Sequence, residues 1–201
     1  RERERERERM GDIGSITGGE DGEGLFLPHK MKEFEKLHPG THSKVVLSLE
    51  IVQDAYARYG DRLGVSFNGG KDACVVLELF RLVLAQAGHL RDLHCHPALY
   101  YRDDSCFREV DDFVRERRKS VGMRLVKTKS LGMKEGLQEF IDATSCAAIL
   151  MGTRTGDPHS IGLTPFAETD GDWPRVVRVN PILTWTYADV WCFLRFFQLP
   201  Y

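Results

Sequence analysis

The chain has 201 residues, 42% hydrophobic and 29% charged, with a formal net charge of −2, enough for one domain of moderate size with a substantial core. The first nine residues alternate Arg and Glu, five against four, so the remainder carries one more negative charge, −3. Near-neutrality argues against a dedicated nucleic-acid binder and gives no pull toward an anionic membrane surface, and no apolar run approaches the roughly 20 residues of a membrane-spanning helix. The five cysteines (Cys74, Cys95, Cys106, Cys146 and Cys192) are odd in number and widely spaced. They read as reduced core thiols of an intracellular, cytoplasmic protein, not as a disulfide framework.

The Arg-Glu repeat is set aside as a tail. Residues 10–24, rich in Gly and acidic residues, are expected to lack order, which leaves residues 25–201 as one domain. A helix is predicted from His42-Ser43 to the residue before Gly60, carrying Val45, Val46, Leu49, Ile51, Val52, Ala55 and Tyr56. Leu63 to Phe67 reads as a buried strand, Asn68-Gly69-Gly70 as a tight loop, and the apolar run Ala73 to Leu84 as a buried helix. Leu93 to Tyr101 reads as a second strand. Phe107 to Val121 reads as a helix with Val110, Phe113 and Val114 inward, and Met123 to Thr128 as a third strand. Met133 to Ala143 is an amphipathic helix, and Cys146 to Met151, continuously apolar, a strand buried on both faces. This alternation predicts an α/β fold, a three-layer sandwich with a mostly parallel sheet between helices.

The ligand of such a sheet is expected beyond the carboxyl ends of its strands, near the switch point in strand order. Asn68, the Asp103-Asp104 pair, Lys127 to Lys129 and Thr153-Arg154 follow those ends, although polar loops there are ordinary. In the first of them, Ser66-Phe67-Asn68-Gly69-Gly70-Lys71-Asp72, two glycines let the backbone approach a ligand. The helix start adds free N–H groups and positive dipole, which suit phosphate, and Lys71 adds a point charge. The stretch is not a Walker A loop: five residues separate Gly64 from Gly70 where that pattern has four, and Asp72 stands where it has a hydroxyl. A carboxylate there suits a magnesium ion more than a bare phosphate. The same residues also fit an ordinary strand-to-helix turn with a surface lysine.

From Gly152 onward the pattern changes. Gly152-Thr153-Arg154-Thr155-Gly156-Asp157-Pro158-His159 reads as a loop. Its Arg154 has the fork to hold a phosphate oxygen pair, and Asp157 suits a metal or a hydroxyl. Then come Thr169-Asp170-Gly171-Asp172-Trp173-Pro174, Arg178-Val179-Asn180-Pro181 and Trp185-Thr186-Tyr187-Ala188-Asp189-Val190-Trp191. Thr186 and Asp189 form a capping box for a helix running through Phe197. His94 and His96 fall on one face of the predicted second strand, where a satisfied pair is the simpler reading than a metal site.

The glycine loop resembles the pyrophosphate-binding loop of PP-loop nucleotide hydrolases. The run from Gly152 resembles the eukaryotic-type FAD synthetases, PP-loop FMN adenylyltransferases, and the likeness covers about residues 25–201. The resemblance implies transfer of AMP from ATP to FMN, giving FAD and pyrophosphate, with Mg2+. It implies ATP binding by Ser66, Phe67, Asn68, Gly69, Gly70, Lys71 and Asp72. It implies flavin binding by Gly152, Thr153, Arg154, Asp157, Asp170 and Trp173, metal binding by Asp72 and Asp157, and catalytic roles for Asn68, Asp72, Arg154 and Asp157. Small molecules are the only partners implied, with no nucleic acid and no membrane, and the protein is expected to be a monomer. Two departures stand out: Thr155 and Gly156 replace Arg and Thr of the family pattern, and the family continues past Tyr201 into a segment with further arginines. The other readings are a catalytically silent nucleotide- or flavin-binding module and a sulfonucleotide reductase. The latter needs a nucleophilic thiol, whereas Cys192 reads as inert core between apolar neighbours.

Overall fold

The computed structural model describes residues 28–101, 106–128, 132–158 and 160–201. Asp103, Asp104, Lys129, His159 and residues 10–24 lie outside them. The fold is built around one helix. Lys71–Gln86 is apolar on every side, and all of Ala73 to Leu84 is buried, Glu78 and Arg81 included, the pattern of a helix inside a core rather than on a surface. We number the helices α1 (Pro28–Leu37), α2 (Pro39–Tyr59), α3 (Lys71–Gln86), α4 (Arg108–Val121), α5 (Met133–Thr144) and α6 (Tyr187–Phe196). The strands are β1 (Leu63–Ser66), β2 (Pro97–Tyr100), β3 (Arg124–Lys127), β4 (Ala148–Leu150), β5 (Phe166–Glu168) and β6 (Val177–Val179).

They form one six-stranded sheet in the order β3-β2-β1-β4-β6-β5, with β5 alone antiparallel. The chain steps outward from β1 to β2 and β3, then returns across the sheet to β4. Right-handed crossovers place α3 and α4 on one face and α5 on the other. The main core holds Val65, Ala98, Ala148 and Leu150 under α2, α3 and α6, and α1 adds Met31 and Phe34. The second core, under α5, has four buried members, Phe140, Cys146, Ile149 and Val176. The expected three-layer α/β architecture is present, with most of its apolar weight on one side.

Several expectations need correction. The first long helix begins at Pro39, where a proline at the first turn loses no hydrogen bond, and α1 precedes it. Leu93 to Tyr101 is not one strand: Leu90–Cys95 forms a 3-10 turn and pairing begins at Pro97. His94 is therefore exposed on the turn, while His96 is buried with its Nδ1 3.1 Å from the Leu63 carbonyl oxygen and its ring edge-on to Phe80. Of the five cysteines only Cys74 and Cys146 are buried; Cys95 is exposed, and Cys106 and Cys192 are half-buried. Two short strands, β5 and β6, occupy a stretch to which the sequence pattern assigns no element.

Buried charge fastens α3 to α4. Glu78 accepts two hydrogen bonds from Arg81 Nη1, at 3.0 and 2.8 Å, and a third from Arg117 of α4. All three side chains are nearly solvent-free.

Candidate active site at the strand switch point

The order of the sheet reverses between β1 and β4, and ligands of such sheets bind beyond the carboxyl ends of the strands at that switch point. The loop after β1 and the loop after β4 meet there. In the first, Phe67 is wholly buried and its N–H donates to the Leu99 carbonyl, which ties the loop to β2. Asn68 is exposed, and its Oδ1 accepts the Gly70 N–H at 2.9 Å. Gly69 has φ of +79°, and a Cβ there would lie 2.8 Å from Val114 Cγ2 and 3.3 Å from Phe113 Cδ1. Its missing side chain thus lets α4 close on the loop. Gly70 has ordinary extended dihedrals and caps α3. A Cβ at Gly152 would come within 3.0 Å of the Asp72 carbonyl carbon, so β4 runs out directly against the start of α3.

This close approach assembles four charged side chains. Lys71 Nζ lies 2.8 Å from Asp72 Oδ2, and Arg154 Nε lies 2.9 Å from Asp72 Oδ1. Arg154 Nη2 is 3.7 Å from Asp157 Oδ1, and its backbone N–H donates to Asp157 Oδ2 at 2.7 Å. The Nε–H of Arg154 is not aligned for a hydrogen bond to Asp72 despite the short distance, and both atoms are buried. Thr153 is half-buried beside the cluster in sequence. The Thr155 N–H donates to Leu183 O at 2.7 Å, linking this loop to the segment before α6.

Asp170 and Trp173 make no direct contact with the cluster. They line a separate cleft of about 420 Å³ with Arg62, Cys146, Ala147 and Arg175, residues that include those leading into the amino ends of β1 and β4. Asp170 is largely exposed, 3.6 Å from Arg178, and Asp172 pairs with Lys134 near the start of α5 at 3.1 Å. The turn therefore lies along α5, on the thinly covered face of the sheet.

Other motif residues turn out to be structural. Trp185 is buried and its Nε1–H donates to Ser48 Oγ, which itself donates to Pro181 O. Asn180 is fully buried and donates through Nδ2 to Thr164 O. Thr186 and Asp189 form the expected capping box, and Asp189 also receives Thr41 at 2.8 Å and Lys44 at 2.5 Å from α2. Sequence reasoning missed Tyr187, whose ring lies under Lys71 with its centroid 5.5 Å from Nζ. Its place at the head of the apolar helix gave no sign of that contact.

Fold and site together define an α/β domain with a mostly parallel six-stranded sheet and a glycine loop at its switch point. Residues 128–201 match the family model described as the phosphoadenosine phosphosulfate reductase domain. The chain is similar to curated FAD synthases and, at 24% and 22% identity, to two adenosine 5'-phosphosulfate reductases. The probable FAD synthase of Schizosaccharomyces pombe is 34% identical over 158 residues, which make up 76% of this chain and 59% of that protein. The probable FAD synthase of Caenorhabditis briggsae is 35% identical over 156 residues, 76% of this chain and 29% of that protein. The chain thus spans under two thirds of the length of these relatives. A crystal structure of Candida glabrata FMN adenylyltransferase in complex with FAD and inorganic pyrophosphate superposes with a TM-score of 0.73 at 23% identity, covering 83% of this chain and 62% of that one. That likeness establishes the shared fold.

Proposed function

We propose that the chain is an FMN adenylyltransferase, which joins AMP from ATP to the phosphate of FMN and releases FAD and pyrophosphate. One observation carries the reading: at the switch point, a glycine loop and helix start suited to polyphosphate face Arg154, held between the carboxylates of Asp72 and Asp157. The similarity to FAD synthases over three quarters of the chain supports it.

A terminal phosphate oxygen of FMN attacks the α-phosphorus of ATP. The bond from that phosphorus to the oxygen bridging the β-phosphate breaks, and pyrophosphate leaves with that oxygen. No side-chain nucleophile is needed; positioning and charge neutralisation dominate such transfers. The first N–H groups of α3 have no helical acceptor and, with Lys71, hold the leaving pyrophosphate. Ser66, Asn68, Gly69 and Gly70 shape that cradle, while Phe67 anchors it from the core. Arg154 keeps its Nε side toward Asp72 and presents its terminal amino groups to the FMN phosphate. Gly152 and Thr153 set the height of that loop.

The donor set fits magnesium. Asp72 and Asp157 offer hard carboxylate oxygens on either side of Arg154, and buried Asp72 Oδ1 has no aligned hydrogen-bond donor. Magnesium takes one or two carboxylates and completes its shell with water and substrate phosphates. When bound, it would screen two polyanions that otherwise repel.

The thiols do not favour reductase chemistry, which runs through a thiolate. Burial pushes Cys74 up to about 12 and Cys146 to about 11, and raises Cys192 as well. Exposed Cys95 precedes β2, at the far end of the sheet from the loop, and Cys106 Sγ sits 3.9 Å from Tyr100 Oη. The deciding assay incubates the purified chain with FMN, ATP and magnesium and separates products by chromatography. FAD and pyrophosphate should appear in equal amounts. ATP binding with no FAD formed would refute the enzyme and leave a binding module.

A further inference from the structure

We propose that Tyr187 is a positioning residue for Lys71, holding its ammonium at the mouth of the glycine loop where polyphosphate binds. The proposal rests on the reading of that loop as a pyrophosphate cradle. It starts from an oddity of placement. Tyr187 is 62% exposed at the first turn of α6, so it contributes little to the core. Yet the backbone around it is pinned from three sides. Trp185 is buried and bonded to Ser48, Thr186 caps the helix, and Asp189 binds Lys44 and Thr41 of α2. The Thr155 to Leu183 hydrogen bond adds a tie to the loop that carries Arg154.

The ring is held as well. Its edge meets Trp191 at 6.1 Å and 66°, and Trp191 in turn meets Tyr201 at 4.7 Å and 84° and carries the Arg195 guanidinium over its face at 5.4 Å. One face of Tyr187 is left for Lys71, 5.5 Å away. Aromatic faces attract cations electrostatically at this range, and a tyrosine fixed by its neighbours offers that face in one place.

Lys71 needs such a fixture. Its other contact is Asp72 Oδ2 at 2.8 Å, and Asp72 also faces Arg154 and is a candidate metal ligand. Whenever Asp72 turns to another partner, the flexible ammonium is free to swing into water. The Tyr187 face keeps it over the loop, where the charge-dense leaving group is expected, without competing for Asp72.

The test uses the whole chain, with Tyr187→Leu, Tyr187→Phe, Lys71→Met and the Tyr187→Leu/Lys71→Met double variant. All change exposed or half-buried positions, so folding is not at stake. Without ligand, the ε-methylene protons of Lys71 should show an upfield ring-current shift in NMR spectra, kept by Tyr187→Phe and lost in Tyr187→Leu. Calorimetric titration with magnesium and inorganic pyrophosphate should then show binding about two- to five-fold weaker for Tyr187→Leu and close to wild type for Tyr187→Phe. In the Lys71→Met background, Tyr187→Leu should make no further difference. An equal loss in both backgrounds would mean that the ring meets the ligand itself and would overturn the positioning role. Pyrophosphate binding that Tyr187→Leu leaves unchanged overturns this role alone. No pyrophosphate binding by the unmutated chain overturns the cradle and this role together.

Discussion

Exchanging Gly69 and Gly70 one at a time for alanine separates packing from ligand binding in the glycine loop. Gly69 sits at φ +79°, a conformation that costs a residue with a side chain about 1–2 kcal/mol. Its new methyl would also lie 2.8 Å from Val114 Cγ2, well inside the roughly 3.5–4.0 Å of a comfortable carbon contact. Overpacking of that kind costs about 1–3 kcal/mol more. At about 2–4 °C per kcal/mol for a domain of this size, Gly69→Ala should melt roughly 4–20 °C below the wild type. Gly70 has φ −71° and ψ 154°, and its new Cβ would meet only Asn68, with Oδ1 at 3.1 Å. Gly70→Ala should therefore keep a melting temperature near that of the wild type. A methyl at the helix cap stands in the way of polyphosphate, so this variant should bind ATP weakly. Circular dichroism melts and ATP titrations on the two variants supply the comparison. If Gly69→Ala melts normally and loses only ATP affinity, the contact with α4 is not what demands glycine there.

Other predictions follow from the charged groups. Arg154→Lys keeps the charge but not the fork, and should weaken FMN binding by roughly 1–3 kcal/mol; fluorescence titration with riboflavin, which lacks the phosphate, should give equal affinity for both proteins, and a matching loss would show that Arg154 shapes the pocket instead. Glu78→Gln leaves Arg81 and Arg117 buried without a counter-charge and should lower stability by about 3–5 kcal/mol, with an unchanged urea midpoint counting against the triad. Burial alone would raise the Asp189 pKa, but hydrogen bonds from Lys44, Thr186 and Thr41 outweigh it and hold the carboxyl below the usual range. Its charge thus adds stability that is complete above the unfolded value of about 3.9 and fades as pH falls below it. The gap in urea midpoint between wild type and Asp189→Asn should be full at pH 7 and shrink toward pH 3, and a constant gap would make the loss one of shape rather than charge.

Local patterns predicted what local physics determines. The β1-loop-α3 unit, the helices α4 and α5 and the capping box of α6 were legible because apolar spacing and cap residues lie next to one another in the chain. Leu93 to Tyr101 misled because a 3-10 turn and a short strand share β-favouring residues, and only the hydrogen bond from His96 N–H to Leu93 O separates them. β5 and β6 are three residues each and take their identity from pairing with each other and with β4, which single-chain periodicity does not carry. The signatures after Gly152 marked an important region without sorting it. Asn180 and Trp185 are core, whereas Arg154 is held by Asp72 across a contact between distant parts of the chain. Gly69 reads as a ligand residue, and only the structure shows that its missing side chain also lets α4 pack against the loop.

The charge arrangement at the switch point also bears on how fast ligands arrive. Lys71 and Arg154 are matched by Asp72 and Asp157 within a few ångströms, so the cluster projects almost no net field into solvent. A polyanion approaching it feels attraction only at contact range, after the internal pairs begin to exchange. Electrostatic steering, which lifts association toward roughly 10⁸–10⁹ per molar per second when a site carries net opposite charge, has little to act on here. Encounter should proceed at the unsteered pace of about 10⁵–10⁶, and the association rate should vary little with ionic strength. Discrimination is then exercised after arrival, by whether a ligand can replace the partners that these four side chains already have.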